Sequence, residues 1–488
     1  MKLRIMLALL ALLPFLSMAQ LTIRGRVIDA QTGASLQGAH LNLNNRLVRV
    51  ATDDKGMFEI TGLKPGDFRL KVTYIGYHHW ESLFTIAENK TMLISMEQSP
   101  VLTEETIITA TRANDKTPVA YQNLSAEEIN RNNQGRDIPF LLEQMPATVV
   151  TSDAGSGVGY TGFRIRGTDM NRINITVNGI PLNDAESHSV FWVNMPDFAS
   201  SVGSLQVQRG VGTSTNGAAA FGASINLQTS APSREAYATI TNAGGSFNTW
   251  KHTFSAGTGL IKGKWAADAR LSKLSSDGFI DRAASDLKSF YISGGYYGNS
   301  TIAKVNVFSG KEVTYQAWDG VPSDILKTDR TYNGIGSYTD PDGNQRFYEN
   351  ETDNYQQDHF QFMLSQRLSS HLTGNLALHY TRGYGYYEQY KEDENLEDYL
   401  IEPVSIPGND SLFITQSDLI RRKLLDNTFY GFTWSLNYER NKLNLMAGGS
   451  GNRYDGLHFG EVIWAEFAQT AGYRHRWYEG TGDKRDLN

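Results

Sequence analysis

The chain is 488 residues long with a formal net charge of −7, from 45 Lys+Arg against 52 Asp+Glu, so it offers no basic face for nucleic acid. It has no cysteine, which excludes a disulfide framework and any thiolate nucleophile or metal ligand. Length alone suggests about three domains, a prior that large β-barrels break, and an aromatic content of 11% with 46 glycines suits an exported sandwich as well as a membrane barrel.

At the N-terminus Lys2 and Arg4 precede an apolar run from Ile5 to Leu16 and a small-x-small site at Ser17-Met18-Ala19. This is the pattern of a secretory signal peptide over 1–19. The run is short for a membrane helix and contains Pro14. Its removal takes Lys2 and Arg4 away and brings the formal charge to −9. No later segment suits a transmembrane helix, so an exported chain is either soluble or a barrel, and the two differ in where aromatic side chains point.

Residues 20–98 hold short β runs, among them "TIRGRVIDAQTG", "AHLNL", "LFTIAE" and "MLISM", separated by turn chemistry at Asp54-Lys55-Gly56 and Lys64-Pro65-Gly66. Their spacing suits a small β-sandwich. The segment resembles the carboxypeptidase-regulatory-like domain, an all-β module. His78 and Glu81 in "HHWE" have the H-x-x-E spacing of a zinc carboxypeptidase, but a zinc site needs a third ligand and an open cleft, and a regular strand puts the two on opposite faces. An enzyme is not expected. "GAAAFGAS", Gly217 to Ser224, has P-loop glycine spacing without the lysine that meets phosphate.

Residues 99–114 form a linker containing "TEETIITATR". An extended segment with free backbone groups adds readily to a partner's sheet edge. Its core Glu105, Thr106, Ile107, Ile108, Thr109 and Ala110 resembles the TonB box of TonB-dependent outer-membrane transporters.

Over 115–231 the patterns are mixed. "LSAEEI" places Glu128 three residues after Ser125, a capping box that opens a short helix, and "DIPFLLEQMP" reads as a second helix stopped by Pro146. "GFRIRGTDMNRINITVNGIPLND" gives two strands: Phe163 and Ile165 oppose Arg164 and Arg166, while Ile173, Ile175 and Val177 oppose Asn174, Thr176 and Asn178. Asn178-Gly179 supplies a tight turn. "VGSLQVQRG" is another alternating strand. The order and spacing of these pieces are similar to the transporter plug domain.

From 232 to 488 long strands follow. Tyr430, Phe432, Trp434, Leu436 and Tyr438 alternate with Gly431, Thr433, Ser435, Asn437 and Glu439, the apolar-out, polar-in dyad of a membrane barrel. "KWAADARLS" and "HLTGNLALHYT" repeat it. Short turns are expected near 261–262, 298–299, 369–370 and 440–441, and long links over roughly 275–287, 312–357 and 384–426. Every second connection is short, as in outer-membrane barrels. About nine strands are legible; "GLHFGEVIWAEF" falls in an expected outer loop, and Lys484 to Asn488 begin a tenth strand. Because a plugged barrel of this kind has about 22 strands, the chain is expected to be the N-terminal part of a larger receptor. The fold class is thus mainly β: a β-sandwich, an α+β plug and the first part of a transmembrane antiparallel barrel.

The resemblance implies TonB-dependent uptake of a scarce solute across the outer membrane, with the first domain in the periplasm. The expected ligand is a ferric siderophore or ferric citrate; cobalamin, a SusC-like glycan importer, or an exported adhesin or scaffold are the alternatives. Partners are then the TonB energy-transducing complex, the chelate and outer-membrane lipid. No cofactor or intrinsic metal site is expected, since any iron arrives in its chelator. Expected ligand contacts are Asp153, Ser156, Asn183, Asp184, Glu186, His188 and Trp192 in plug loops, and Tyr315, Trp318, Tyr384 and Tyr386 in barrel loops. Arg164 and Arg166 are expected to latch the plug to inward carboxylates of the barrel wall.

Overall fold

A computed structural model describes residues 21–43, 48–74, 77, 79–97, 112–113, 117, 119–211, 221–298, 300–369, 371–406, 409–440, 443–467 and 474–487. The chain divides into two units, Met1–Leu102 and Thr103–Asn488. The signal-peptide pattern, the TonB-box resemblance at 105–110 and His78 lie outside the described residues.

The first unit has seven strands: β1 (Leu21–Asp29), β2 (His40–Leu43), β3 (Val48–Ala51), β4 (Met57–Leu63), β5 (Gly66–Thr73), β6 (Trp80–Ile86) and β7 (Lys90–Met96). They form a β4-β1-β7 sheet and a β3-β2-β5-β6 sheet. Period-two alternation turns Ile23, Val27, Phe58, Ile60 and Ile94 of the first sheet and Leu41, Leu70, Val72 and Ile86 of the second into one shared core. Each such side chain contributes about 1.5–3 kcal/mol on burial, so the expected sandwich forms. Its β1–β7 pairing is parallel, Ile23 opposite Lys90. Glu81 pairs with Arg69 at 3.4 Å on the exposed face of this unit.

In the second unit the plug comprises β8 (Ala120–Ser125), α1 (Ala126–Asn132), α2 (Ile138–Leu141), β9 (Thr148–Ser152), β10 (Thr161–Ile165), β11 (Ile173–Val177), β12 (Ile180–Pro181), β13 (Val202–Arg209) and β14 (Ala223–Thr229). Ser125 caps α1, with the Glu128 carboxylate returning to the Ser125 backbone N–H. The second helix is a single turn, shorter than its sequence suggests. Strand order is β12-β11-β14-β13-β8, with β11 and β14 parallel, and β9 pairs with β10 apart from that sheet. The two strands of the "GFRIRG…NITVNG" stretch therefore belong to different sheets. Asn178 at φ +55° and Gly179 at +77° make the expected tight turn into β12.

The barrel portion is one ten-stranded antiparallel sheet: β15 (Tyr237–Gly245), β16 (Thr249–Gly257), β17 (Trp265–Ser276), β18 (Ser285–Tyr297), β19 (Thr301–Tyr315), β22 (Thr352–Arg367), β23 (Leu372–Asn395), β26 (Gln416–Arg440), β27 (Leu443–Ala465) and β28 (His475–Leu487). Two small hairpins, β20 (Ser337–Thr339) with β21 (Gln345–Phe347) and β24 (Val404–Ile406) with β25 (Asn409–Ile414), sit within its longer links. The short turns fall where expected. The strands, however, run farther: β23 extends to Asn395 and β26 starts at Gln416, so the link expected over 384–426 shrinks to 396–415. "GLHFGEVIWAEF", expected in a loop, continues β27 to Ala465, and the tenth strand begins at His475 and not at Lys484. Continued cross-strand pairing, Tyr390 with Ile420 and Leu424 with Phe459, supplies the backbone partners that carry these strands on.

Outward residues are apolar and exposed, including Ile240, Trp265, Leu271, Phe360, Leu378, Phe432 and Trp434, while the inner face buries Lys251, Arg270, Lys304, Asn306, Gln361 and Ser365. This is the membrane-barrel dyad. Plug residues bond to β16, β17, β18, β19, β22 and β27, so the sheet curves around the plug. No helix among the described residues is long and apolar enough to cross a membrane.

Candidate functional site

Between the plug apex and the barrel wall lies a cavity of about 390 Å³. Its floor is the plug loop that follows β12. Asn183 ties this loop down: its Oδ1 accepts the Ile175 N–H at 2.8 Å, and its Nδ2 donates to the carbonyls of Ile173 and His188, both at 2.9 Å. Asp184 Oδ1 then accepts the backbone N–H groups of Glu186 and Ser187 and the Ser187 hydroxyl. These bonds hold Glu186 out toward the wall, where its Oε2 accepts Tyr454 Oη at 2.9 Å and meets His458 Nε2 at 2.7 Å on β27.

The wall side is built from residues of β19, β22, β23, β26, β27 and β28. On β22 the series Asp353, Tyr355, Gln357 and His359 all line the cavity, the same parity as Gln361 deeper in the lumen. Gly383 on β23 makes room for this series: a Cβ there would lie 1.8 Å from the Tyr355 hydroxyl. Tyr160, from the plug turn between β9 and β10, donates to Asp353 Oδ2 at 2.5 Å. Burial, with Glu312 and Asp353 nearby, pushes the Tyr160 phenol well above its ordinary range.

Of the residues expected to contact ligand, Asn183, Asp184, Glu186 and Tyr386 line this cavity. Trp318 stands behind the lining, edge-on to Tyr160 at 5.9 Å and to Tyr387 at 5.8 Å. Trp192 is a core residue, 2% exposed and packed 6.4 Å from Phe163; the apolar run around it reads as loop in sequence but folds as a one-turn helix over the plug sheet. His188 occupies a left-handed turn at φ +59° and is exposed outside the lining. Asp153 and Ser156 sit in the β9–β10 turn, where burial pushes the Asp153 carboxyl up to about 6. Tyr315 donates to the Tyr348 carbonyl at 2.8 Å. Tyr384 shares the outward face of β23 with Leu378 and Tyr380 and is exposed under Arg382. Sequence reading missed Tyr160, Glu312, Asp353, Tyr355 and Tyr454. The inward dyad, extended up each strand past the expected strand ends, is the signal that finds the wall members.

Among the described residues neither Arg164 nor Arg166 pairs with a carboxylate of the barrel wall. Arg164 pairs with Asp169 of the plug itself at 2.6 Å, both side chains more than half exposed, and Arg166 is exposed in a left-handed turn at φ +53°. The buried plug-to-wall ion network has the opposite polarity. Plug Asp197 meets Lys251 of β16 at 2.6 Å and Arg270 of β17 at 3.3 Å, with all three side chains at most 4% exposed. Thr253 and Ser272 donate to its Oδ2, and Ser200 and Asn133 to its Oδ1. Burial pushes Asp197 up, but Arg270, Lys251 and these hydrogen bonds outweigh it and hold the carboxyl well below its ordinary range. Asn178 Nδ2 donates to Gln361 Oε1 of β22 at 3.1 Å, and Lys304 Nζ of β19 donates to Thr229 Oγ1 at 3.2 Å.

The carboxypeptidase regulatory-like domain family matches residues 22–97, and the TonB-dependent receptor plug domain family matches residues 113–224. Among solved structures, the chain is similar to the ferripyoverdine receptor of the outer membrane of Pseudomonas aeruginosa, at 13% identity, a TM-score of 0.51, and coverage of 78% of this chain and 50% of that one. It is also similar to the ferric preacinetobactin receptor of Acinetobacter baumannii (12% identity, TM-score 0.51, 76% and 54%) and to the copper transporter OprC (13%, TM-score 0.52, 74% and 50%). The chain spans about half the length of these structures. No curated protein matches it. The chain thus carries a TonB-dependent receptor plug domain behind a carboxypeptidase regulatory-like domain, and its second unit shares the plug-and-barrel fold of these structures.

Proposed function

We propose that this receptor captures a small metal chelate, a ferric siderophore or ferric citrate, in the cavity above Glu186 and passes it across the outer membrane when a TonB-type complex pulls on the segment Glu105 to Ala110. The observation that carries the reading is the cavity itself: ligand-sized, walled by tyrosines and polar groups, and floored by a plug that fills the lumen beneath it. The chemistry is transport, not bond breaking. Capture needs only the preformed lining, and release needs the floor to move. In this reading the first unit and the TonB-box segment face the periplasm.

The test separates the two steps. Deleting Glu105 to Ala110 in the full receptor is expected to leave binding of a ferric chelate unchanged while abolishing its energy-dependent uptake into cells. Uptake that survives the deletion contradicts the coupling, and absence of binding to any ferric chelate contradicts the ligand class.

A further inference from the structure

The cavity lining carries four carboxylates, Asp184, Glu186, Glu312 and Asp353, against one lysine, Lys423. Among the described residues no Lys or Arg lies within ion-pair distance of any of the four; His458 beside Glu186 is their one basic neighbour. Asp184 is used by its own loop and Asp353 accepts from Tyr160. Glu312 is different. It is 1% exposed, its Oε2 accepts only the Thr314 hydroxyl at 3.2 Å, and its Oε1 takes no hydrogen bond among the described residues. The β19–β22 register sets Thr314 opposite Asp353 and Glu312 opposite Tyr355, so Glu312 and Asp353 are diagonal neighbours on the inner face, about 7–8 Å apart at the backbone.

Two carboxylates held this close in a shielded site repel each other, and without a countercharge, which no described residue supplies, they do not both ionise; an ammonium placed between them supplies that charge. Lys423, on the far side at β26, lies against the Tyr387 ring at 5.9 Å and does not reach them. Tyr355 and Tyr454 add aromatic faces that attract a cation when desolvated. An anionic ligand meets no Lys or Arg among the described residues at this end of the cavity.

We propose that the cavity selects its ligand by positive charge: it takes a chelate that presents a protonated amine to Glu312 and Asp353, and it rejects polyanionic chelates such as ferric citrate. This rests on the uptake reading above and narrows its ligand class.

The test uses the full receptor in detergent, with binding measured for three probes: a linear ferric trishydroxamate carrying a free terminal amine, the same chelate N-acetylated, and ferric citrate. The amine form is expected to bind on the order of tenfold more tightly than the acetylated form, with ferric citrate weakest. In Glu312→Gln, which keeps shape and loses charge, the ratio of amine-form to acetylated-form affinity is expected to fall to about one. Equal binding of the first two probes, an unchanged preference in Glu312→Gln, or tightest binding of ferric citrate overturns the charge inference and leaves chelate uptake standing. Failure of all three to bind overturns the chelate reading and the inference with it.

Discussion

Asp197 and Arg164 both form ion pairs, yet they differ in what their loss costs. Removing the Asp197 carboxylate leaves Lys251 and Arg270 buried without a countercharge, a loss of about 3–5 kcal/mol. Asp197→Ala is therefore expected to unseat the plug, read as lost hydrogen-exchange protection over 120–229 with the barrel strands still protected. Arg164→Ala breaks an exposed pair, worth at most about 1 kcal/mol, and protection should be unchanged; a loss equal to that of Asp197→Ala would support the arginine latch. Asp137 adds a pH dependence. Burial pushes its carboxyl up to about 7, against a hydrogen bond from Thr161 and with the Asp197 charge adding to the rise. The folded plug then holds a proton that the unfolded chain gives up, so stability falls as pH rises from the ordinary carboxylate range to about 7 and is level above. Plug protection is expected to be higher at about pH 6 than at about pH 8, and Asp137→Asn should remove that difference.

Among the elements, β19 shows why plug and wall fit. Gly310 faces the plug where Asn194 and Pro196 pass, and a Cβ there would stand 2.0 Å from the Asn194 carbonyl oxygen. The glycine lets two backbones approach, while Ser289 of β18 donates to the Pro196 carbonyl at 2.7 Å. Gly310→Ala is expected to push this segment off the wall and expose the Asn194–Ser201 stretch to protease, with the barrel intact; an unchanged digestion pattern would show that the wall yields instead. Elements of this kind were partly legible in sequence. Dyads such as Tyr430 to Tyr438 and caps such as Ser125 with Glu128 are local patterns, and they hold. Strand ends were not legible, because β23 and β26 continue through charged residues such as Glu388 and Arg422, which pair with each other at 2.7 Å above the apolar belt.

At the scale of the molecule, the site is less legible than the fold because it is assembled across distance. Glu186 and Tyr454 are far apart in the chain, and only the curvature of the sheet around the plug brings them together. Loop residues that bond to their own loop, Asn183 and Asp184, could be picked from turn chemistry; wall residues could not be ranked without the register that joins β22 to β19 and β23. Under the proposed transport reading the same assembly makes one cavity both site and gate, with the plug loop as the floor that has to move. The most direct measurement is hydrogen exchange of the full receptor with and without the ferric trishydroxamate. The account predicts added protection in the plug loop 182–195 and in the upper parts of β22, β23 and β26 that face it. Protection gained only elsewhere, with this loop and these strands unchanged on binding, would contradict it.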